Sequence, residues 1–343
     1  MNNMSIFNKR ISILVLGSDG MLGHAVYAHF KSESFMKNSN IGAVFGLDLS
    51  SGFDITKENS LVYFFHSHEH IDWCINCIAY TNTAAEENTE EGKSLGYKLN
   101  SFVPMIIAWA CKIHKTKLIH ISTDYVFGGT TTKLNMPSSC PWPVNNYGMH
   151  KLLGEEFIKN IIGPESKDWT ILRTSWLYGQ HNEKSFIHKF LRNVVKCIAE
   201  GKQIECDSFE HSIPTSVECV IRCICQTINE NCYGIMHAVP KLTDQDNDGV
   251  MRYTFATEIL YALERHGMDD IAGKNIADIE IVETCNKSYY PEYSTMATSF
   301  TCVYTWTGEI DRFVKTHIDD IRKFVSTEIT KYPQLRKTDD TAS

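Results

Sequence analysis

A short, largely apolar run, Ile11 to Leu16, delivers the chain into Gly17-Ser-Asp-Gly20-Met-Leu-Gly23. Such a run suits a strand buried on both faces, as in a parallel sheet. The glycines remove Cβ atoms where the backbone must turn sharply into a helix, Met21 to Phe30. They also let peptide N–H groups at the helix N-terminus approach a pyrophosphate. The spacing is GxxGxxG rather than GxGxxG, and a glycine triple alone often just packs a helix on a strand. Here it follows a strand and opens a helix near the start of the chain. Gly17, Asp19, Gly20, Met21 and Leu22 are therefore candidate contacts for a dinucleotide cofactor.

The alternation continues. Ala43 to Asp48 reads as a second strand, Leu61 to His66 as a helix and Asp72 to Ala79 as a third strand. Leu99, Val103, Ile106, Ile107 and Ala110 recur at helical spacing and predict a long helix from about Leu95 to His114. Lys117 to Ser122 follows as strand four. After a loop at Pro137 to Pro143, Asn145 or Asn146 can cap a helix from Tyr147 to about Ile162. Trp169 to Leu172 is strand five. This order predicts an α/β fold, a Rossmann-type parallel sheet with helices on both faces, over residues 9–176. Later elements are less regular: helices at Ser185 to Ala199, Ser216 to Asn229, Tyr253 to His266 and Ile318 to Ile329, and a strand at Ile235 to Val239. They suggest a smaller C-terminal substrate-binding lobe over residues 177–332, with some segments returning to the first domain. Residues 1–8 and 333–343 read as mobile ends.

The net charge of −8 and the lack of a basic cluster argue against nucleic acid as a partner. Apolar runs are too short to span a bilayer, and MNNMSIFNKR lacks the apolar region of a signal peptide. A cytoplasmic protein with its twelve cysteines reduced is the expectation. No metal is expected. Cys74 and Cys77 point to opposite faces of a strand. Asp244-Gln-Asp246-Asn-Asp248-Gly249 begins like a calcium loop but puts Phe255 where a bidentate glutamate belongs.

Asp48 ends strand two, where an acid can hold an adenosine ribose hydroxyl and favour NADH over NADPH. Ser50 and Ser51 follow and could instead meet a 2′-phosphate. The cofactor stays open between NADP(H) and NAD(H), with Asp54 and Ile55 candidates for the adenine edge. Thr123 follows strand four at the sheet's carboxyl edge, where ligands bind in such folds. Tyr147 and Lys151 lie one turn apart on a helix face. A nearby ammonium lowers a phenol's pKa from its usual ~10. A tyrosine proton donor, a polarising threonine hydroxyl and a nicotinamide hydride would together reduce a ketone. The bland reading of the helix is one aromatic anchor and one surface lysine.

Four strings carry a resemblance. Gly17-x-x-Gly20-x-x-Gly23, Ser122-Thr123-Asp124-Tyr125-Val126-Phe127-Gly128, Tyr147-x-x-x-Lys151-Leu-x-Gly154-Glu155 and Leu172-Arg173-Thr174-Ser175-Trp176 resemble the extended short-chain dehydrogenase/reductases, above all the dTDP-4-dehydrorhamnose reductase branch. The resemblance runs from about Ile11 to Val239. It implies a Thr123, Tyr147, Lys151 triad, cofactor contacts at Ala79, Tyr80, Thr81 and Asn100, and substrate contacts at Thr83, Thr123, Asp124, Tyr125 and Trp176. The implied reaction is NAD(P)H-dependent reduction of the 4-keto group of a nucleotide-linked 6-deoxy-4-ketohexose, on dTDP or UDP. It would be the last step to an activated L-rhamnose-type sugar, and a homodimer is compatible with the resemblance. Departures fall in the substrate region. Ala84-Ala85-Glu86 replaces an Asp-Lys-Ala-Glu run, and Tyr290-Pro291 replaces an arginine-proline pair. Asp207 to Thr215 is two residues longer than in that branch and more like the regulatory β subunit of methionine adenosyltransferase. A non-catalytic regulatory subunit is thus the alternative, along with another nucleotide-sugar epimerase or reductase. Dehydratases place Asp-Glu after the active-site threonine; Asp124-Tyr125 here disfavours loss of water.

Overall fold

The computed structural model describes residues 10–57, 59–68, 70–129, 134–180, 185–246, 248–285 and 289–338. The chain forms two compact units. The first is Met1–Val126, Asn145–Arg173 and Cys223–Met236; the second is Phe127–Val144, Thr174–Arg222 and His237–Ser343. The break falls after Arg173 rather than after Trp176, and the loop after strand four belongs to the second unit. Local bonding explains the break. Arg173 is paired to Glu155 in the first unit, whereas Ser175 bonds Ser212 and the Trp176 carbonyl accepts from Thr215 in the second.

The central sheet contains β1 (Ile11–Leu16), β2 (Ile41–Leu47), β3 (Trp73–Asn76), β4 (Lys117–Thr123), β5 (Trp169–Thr174) and β6 (Gly234–His237), in the order β6-β5-β4-β3-β1-β2. β1 pairs in parallel with both β2 and β3, and β3 with β4. The chain thus goes to one side of β1 and then to the other. The carboxyl ends of β1 and β3 form the switch point, the place where such sheets bind ligands. Helices α1 (Met21–Lys31), α2 (Ser60–Ser67), α3 (Val103–His114) and α4 (Asn146–Ile162) belong to the same unit. Leu14, Leu16, Val103, Ile107, Leu118, Ile158 and Ile171 share its buried core.

Most expected elements form within a few residues of their expected bounds. β3 is shorter than Asp72 to Ala79, because Asn76 Oδ1 accepts the Ile78 N–H at 3.0 Å and turns the chain out of the sheet. The long helix before β4 begins earlier and is interrupted. A helix at Glu90–Tyr97 passes through a π-helical segment, Lys98–Phe102, into α3. Insertions of this kind mark functional positions more often than chance.

In the second unit, Ile204–Asp207 pairs in parallel with Ile281–Thr284. Rings of Tyr178, Phe255 and Phe313 pack together in its core. The last long helix is Trp306–Ile329, much longer than the expected Ile318 to Ile329. Trp306, Ile310, Phe313 and Val314 supply a buried stripe, and Thr305 caps the start by accepting from Gly308 N. His317 leaves helical geometry and kinks it, which splits the pattern a sequence reader sees. Residues 1–8 and 339–343, expected to be mobile, lie outside the described residues; Pro333–Thr338, expected to be mobile too, forms a 3-10 helix.

Two features of the first unit carry measurable consequences. A Cβ at Gly23 would overlap the Gly17 carbonyl oxygen, while one at Gly20 would meet that oxygen at an ordinary 3.4 Å. Gly23→Ala should cost about 3 kcal/mol in urea unfolding, and Gly20→Ala at most about 0.5 kcal/mol. Equal effects would refute this division of roles. Arg173 and Glu155 are both buried, with Nη2–Oε2 at 2.7 Å and Nε–Oε1 at 3.0 Å. Arg173→Met strands a buried carboxylate and should cost about 3–5 kcal/mol by the same measurement.

Candidate active site

The turn after β1 is built by close approach. Gly17 has φ +79°, and its N–H donates to the Leu47 carbonyl of β2. A Cβ there would come within 3.0 Å of the Ile78 nitrogen after β3. The β1 and β3 loops are thus held together across the switch point. Gly20 is the N-cap of α1, no side chain caps that end, and its first turn carries no acidic residue. That arrangement suits an anion. Met21 and Leu22 open α1, with Leu22 buried.

Asp48 follows β2 directly. Its carboxylate accepts from the Asp19 N–H and the Ser50 N–H, each at 3.3 Å, and Asp19 accepts in turn from the Ser50 hydroxyl. The acid and Ser50 therefore sit together beside the glycine turn, while Ser51 bonds the Asp48 backbone, its Oγ accepting the Asp48 N–H at 3.1 Å. Asp54 instead serves its own loop. Its Oδ1 accepts from Thr56 N and Oγ1, and those bonds hold its carboxyl below the usual range. The Ile55 side chain lies in the hydrophobic core beside Leu61 and Phe65, so any contribution to an adenine edge is left to its backbone.

Ala79, Tyr80 and Thr81 lead out of β3. Asn100, on the π-helical segment, locks this loop: its Oδ1 accepts Tyr80 N–H at 3.0 Å and its Nδ2 donates to Tyr80 O at 2.8 Å. The same amide reaches Glu86 Oε1 at 3.1 Å, and Glu86 Oε2 lies 2.7 Å from His150 Nδ1. Glu86 is fully buried. Gly96 has no Cβ because one would overlap its carboxylate. Thr83 begins the short helix Thr83–Asn88 that carries Glu86.

At the end of β4, Thr123 and Asp124 are both buried. Thr123 Oγ1 donates to Asp124 Oδ1 at 3.1 Å and accepts from Tyr125 N–H at 3.2 Å. Asn145 caps α4 by accepting from Gly148 N at 2.8 Å, which places Tyr147 on the first turn. The Tyr147 phenol feels the Thr123 hydroxyl, which pulls its pKa down. Its ring meets that of Tyr125 edge-on at 5.9 Å. Thr123, Asp124, Tyr125 and Tyr147 thus form one cluster.

The expected lowering of the tyrosine pKa by Lys151 does not hold here. Burial and the Asp124 carboxylate push the Tyr147 phenol up, against the downward pull of Thr123. Lys151 is fully buried and directs Nζ elsewhere, to the Ile121 carbonyl at 2.6 Å and toward His120 Nε2 at 3.2 Å. Burial lowers its pKa to about 8, opposed by Glu155, Cys77 and Glu86. This is neither a surface lysine nor one that neutralises the phenolate in this state.

Trp176 belongs to the second unit. It is half-buried at φ +32°, and its indole Nε1 has no partner among the described residues. The Arg252 guanidinium covers one ring face at 3.9 Å, a cation–π distance. In the calcium-like loop, Asp246 accepts from Trp306 Nε1 at 2.6 Å and from Thr243. Among the described residues no helix is long and apolar enough to cross a membrane.

Sequence reasoning missed Asn76, Glu86, His120, His150 and the role of Glu155. Glu155 and His150 lay inside the quoted helix string, and helical spacing from Lys151 pointed to Glu155. Glu86 lay in the run compared with Asp-Lys-Ala-Glu, but its partners Asn100 and His150, like the His120 partner of Asn76, are distant in the chain.

The family model for the RmlD substrate binding domain matches residues 11–316. The chain is 34% identical over 179 residues to a dTDP-4-keto-6-deoxy-D-glucose reductase of Streptomyces niveus, covering 52% of this chain and 57% of that one. It thus spans little more than half the length of that relative. It is 28% identical over 287 residues to the spore coat polysaccharide biosynthesis protein SpsK of Bacillus subtilis, covering 83% and 88%. The fold is similar to that of a dTDP-4-dehydrorhamnose reductase from Clostridium acetobutylicum, with TM-score 0.72, 24% identity and coverage of 91% and 100%. It is also similar to that of the Bacillus anthracis dTDP-4-dehydrorhamnose reductase in complex with NADP, with TM-score 0.71, 22% identity and coverage of 89% and 98%. With its match running through both structural units, the chain belongs to the RmlD substrate binding domain family.

Proposed function

We propose that the protein is an NAD(P)H-dependent reductase acting on the 4-keto group of a nucleotide-linked 6-deoxy-4-ketohexose, the last step to an activated L-rhamnose-type sugar. The observation that carries this reading is the placement of Tyr147, on the first turn of α4, with Thr123, Asp124 and Tyr125 at the carboxyl end of β4, in the same unit as an uncapped, glycine-lined helix start. The Streptomyces relative, named a reductase of a dTDP-linked 4-keto-6-deoxy sugar, supports the substrate class.

The residues fit a dinucleotide. The uncapped, acid-free start of α1 at Gly20 suits a diphosphate, Asp48 stands beside the turn for a ribose hydroxyl, and Asn100 fixes the Tyr80 backbone on the other side of the switch point. When bound, the cofactor supplies the hydride that reduces the carbonyl carbon. The chain's own task is the proton. Tyr147, with its pKa raised, is fully protonated at neutral pH and available to the alkoxide oxygen as that charge develops. The Thr123 hydroxyl can turn from Asp124 to the same oxygen. Burial, with the Asp124 carboxylate, keeps the phenol protonated until the alkoxide forms. The complete Thr123, Tyr147 and Lys151 set favours this reading over a regulatory subunit, which would not need it.

Tyr147→Phe should lower turnover of a nucleotide 4-keto-sugar about 10³-fold while dinucleotide binding, followed by fluorescence titration, stays within a factor of about two. Full activity in that variant would sink the mechanism. Trp176→Ala should raise KM about tenfold through loss of ring contact with the sugar or nucleotide; unchanged KM and kcat would make Trp176 a packing residue only. A panel of dTDP- and UDP-linked 4-keto-sugars with NADH and NADPH tests the class directly. Oxidation of neither cofactor with any of them would refute the reductase reading.

A further inference from the structure

His120 is a fully buried imidazole that the proposed reaction does not use. It lies on β4 between the β3 residue Asn76 and Lys151. The Asn76 amide is oriented without ambiguity, because its Oδ1 accepts a backbone N–H, that of Ile78, at 3.0 Å. Its Nδ2 therefore faces His120 Nδ1, at 2.9 Å, as a donor. A donor there requires a lone pair on Nδ1, and a neutral imidazole then carries its proton on Nε2. Burial pushes the His120 pKa well down, so the ring is neutral in either state of Lys151, and the ammonium form only pushes it further. Its Nε2 stands 3.2 Å from Lys151 Nζ. An N–H aimed at that distance matches an amine lone pair and clashes with an ammonium.

We propose that His120, oriented by Asn76, is a positioning residue that makes Lys151 a proton-exchanging amine rather than a fixed cation: its Nε2–H stabilises the amine form and opposes the ammonium form. The amine still donates to the Ile121 carbonyl at 2.6 Å, so both of its capacities are used. The other groups facing Lys151 fit this assignment. On its own helix, Glu155 is engaged by Arg173 and Ser122, and Tyr147 is protonated. From the Thr83–Asn88 helix, Glu86 is engaged by Asn100 and His150. After β3, burial pushes the Cys77 thiol up to about 12, so it is neutral. Each nearby carboxylate already has partners of its own, and neither contacts Nζ. The inference deepens the reading of Lys151 as part of the site and rests on it for its functional meaning, but not for its test.

The test uses the full-length, cofactor-free protein labelled with ¹³Cε-lysine and ¹⁵N-histidine, with Lys151→Arg and His120→Gln assigning the signals. The Lys151 signal should titrate near pH 8, and at pH 9 the His120 nitrogens should report a proton on Nε2. His120→Gln, whose amide oxygen can turn to the ammonium, should raise the Lys151 midpoint by about one pH unit. Asn76→Asp replaces the donor by an acceptor and should move the His120 proton to Nδ1, a readout that holds even if His120→Gln fails to fold. A Nδ1–H tautomer in the unaltered protein, or an unchanged Lys151 midpoint in His120→Gln, would overturn the proposal and leave burial as the sole cause. Because no turnover is measured, a failed reductase assay leaves this result standing, and the converse.

Discussion

Glu155, a carboxylate with no access to water, fixes the helix that carries Tyr147 and Lys151 against the strand that ends in Thr123. Ser122 donates to it at 2.5 Å from the position beside Thr123, and Arg173 on β5 closes on it with two bonds. Three elements of different sequence origin thus share one buried charge pair. A pair of this kind adds little net stability over an apolar replacement, but it penalises every alternative register, because each would leave a charge unpaired. The alignment of Thr123 with Tyr147 is a by-product of that penalty.

A second buried acid does the same for the cofactor side. Glu86 connects Asn100, which holds the Tyr80 backbone, to His150, which lies between Tyr147 and Lys151. The π-helical segment is what brings Asn100 into the loop's reach. The two acids lie in different parts of the sequence, yet each joins a loop or strand of the first unit to α4. The site is stiff because its helix is anchored on two sides by groups that cannot be left unsatisfied.

Much of the fold was legible in the sequence because its signals are local. β1, the glycine turn and α1 follow from an apolar run, missing Cβ atoms and helical spacing, and their bounds match closely. The helix at Phe186–Glu200 was readable for the same reason, its apolar face repeating at helical period. Failures came where a single side chain or a local break in the backbone decides. β3 stops at Asn76 because of a side-chain bond to the backbone ahead. The kink at His317 concealed the first half of Trp306–Ile329. The candidate residues were legible as types in order, but their electrostatics were not. The pair Tyr147 and Lys151 suggested mutual attraction, whereas burial and Asp124 dominate the phenol, and a carbonyl and an imidazole take the lysine. Spacing tells which residues can meet; it does not tell which neighbour each prefers.

Trp176 holds a backbone conformation that glycine adopts without strain and that costs other residues about 1–2 kcal/mol. The Arg252 guanidinium on the ring face offsets part of that cost, whereas the indole nitrogen, without a partner among the described residues, offsets none of it. A smaller side chain other than glycine would keep the backbone strain and lose the ring contact, so only glycine relieves the one as it forfeits the other.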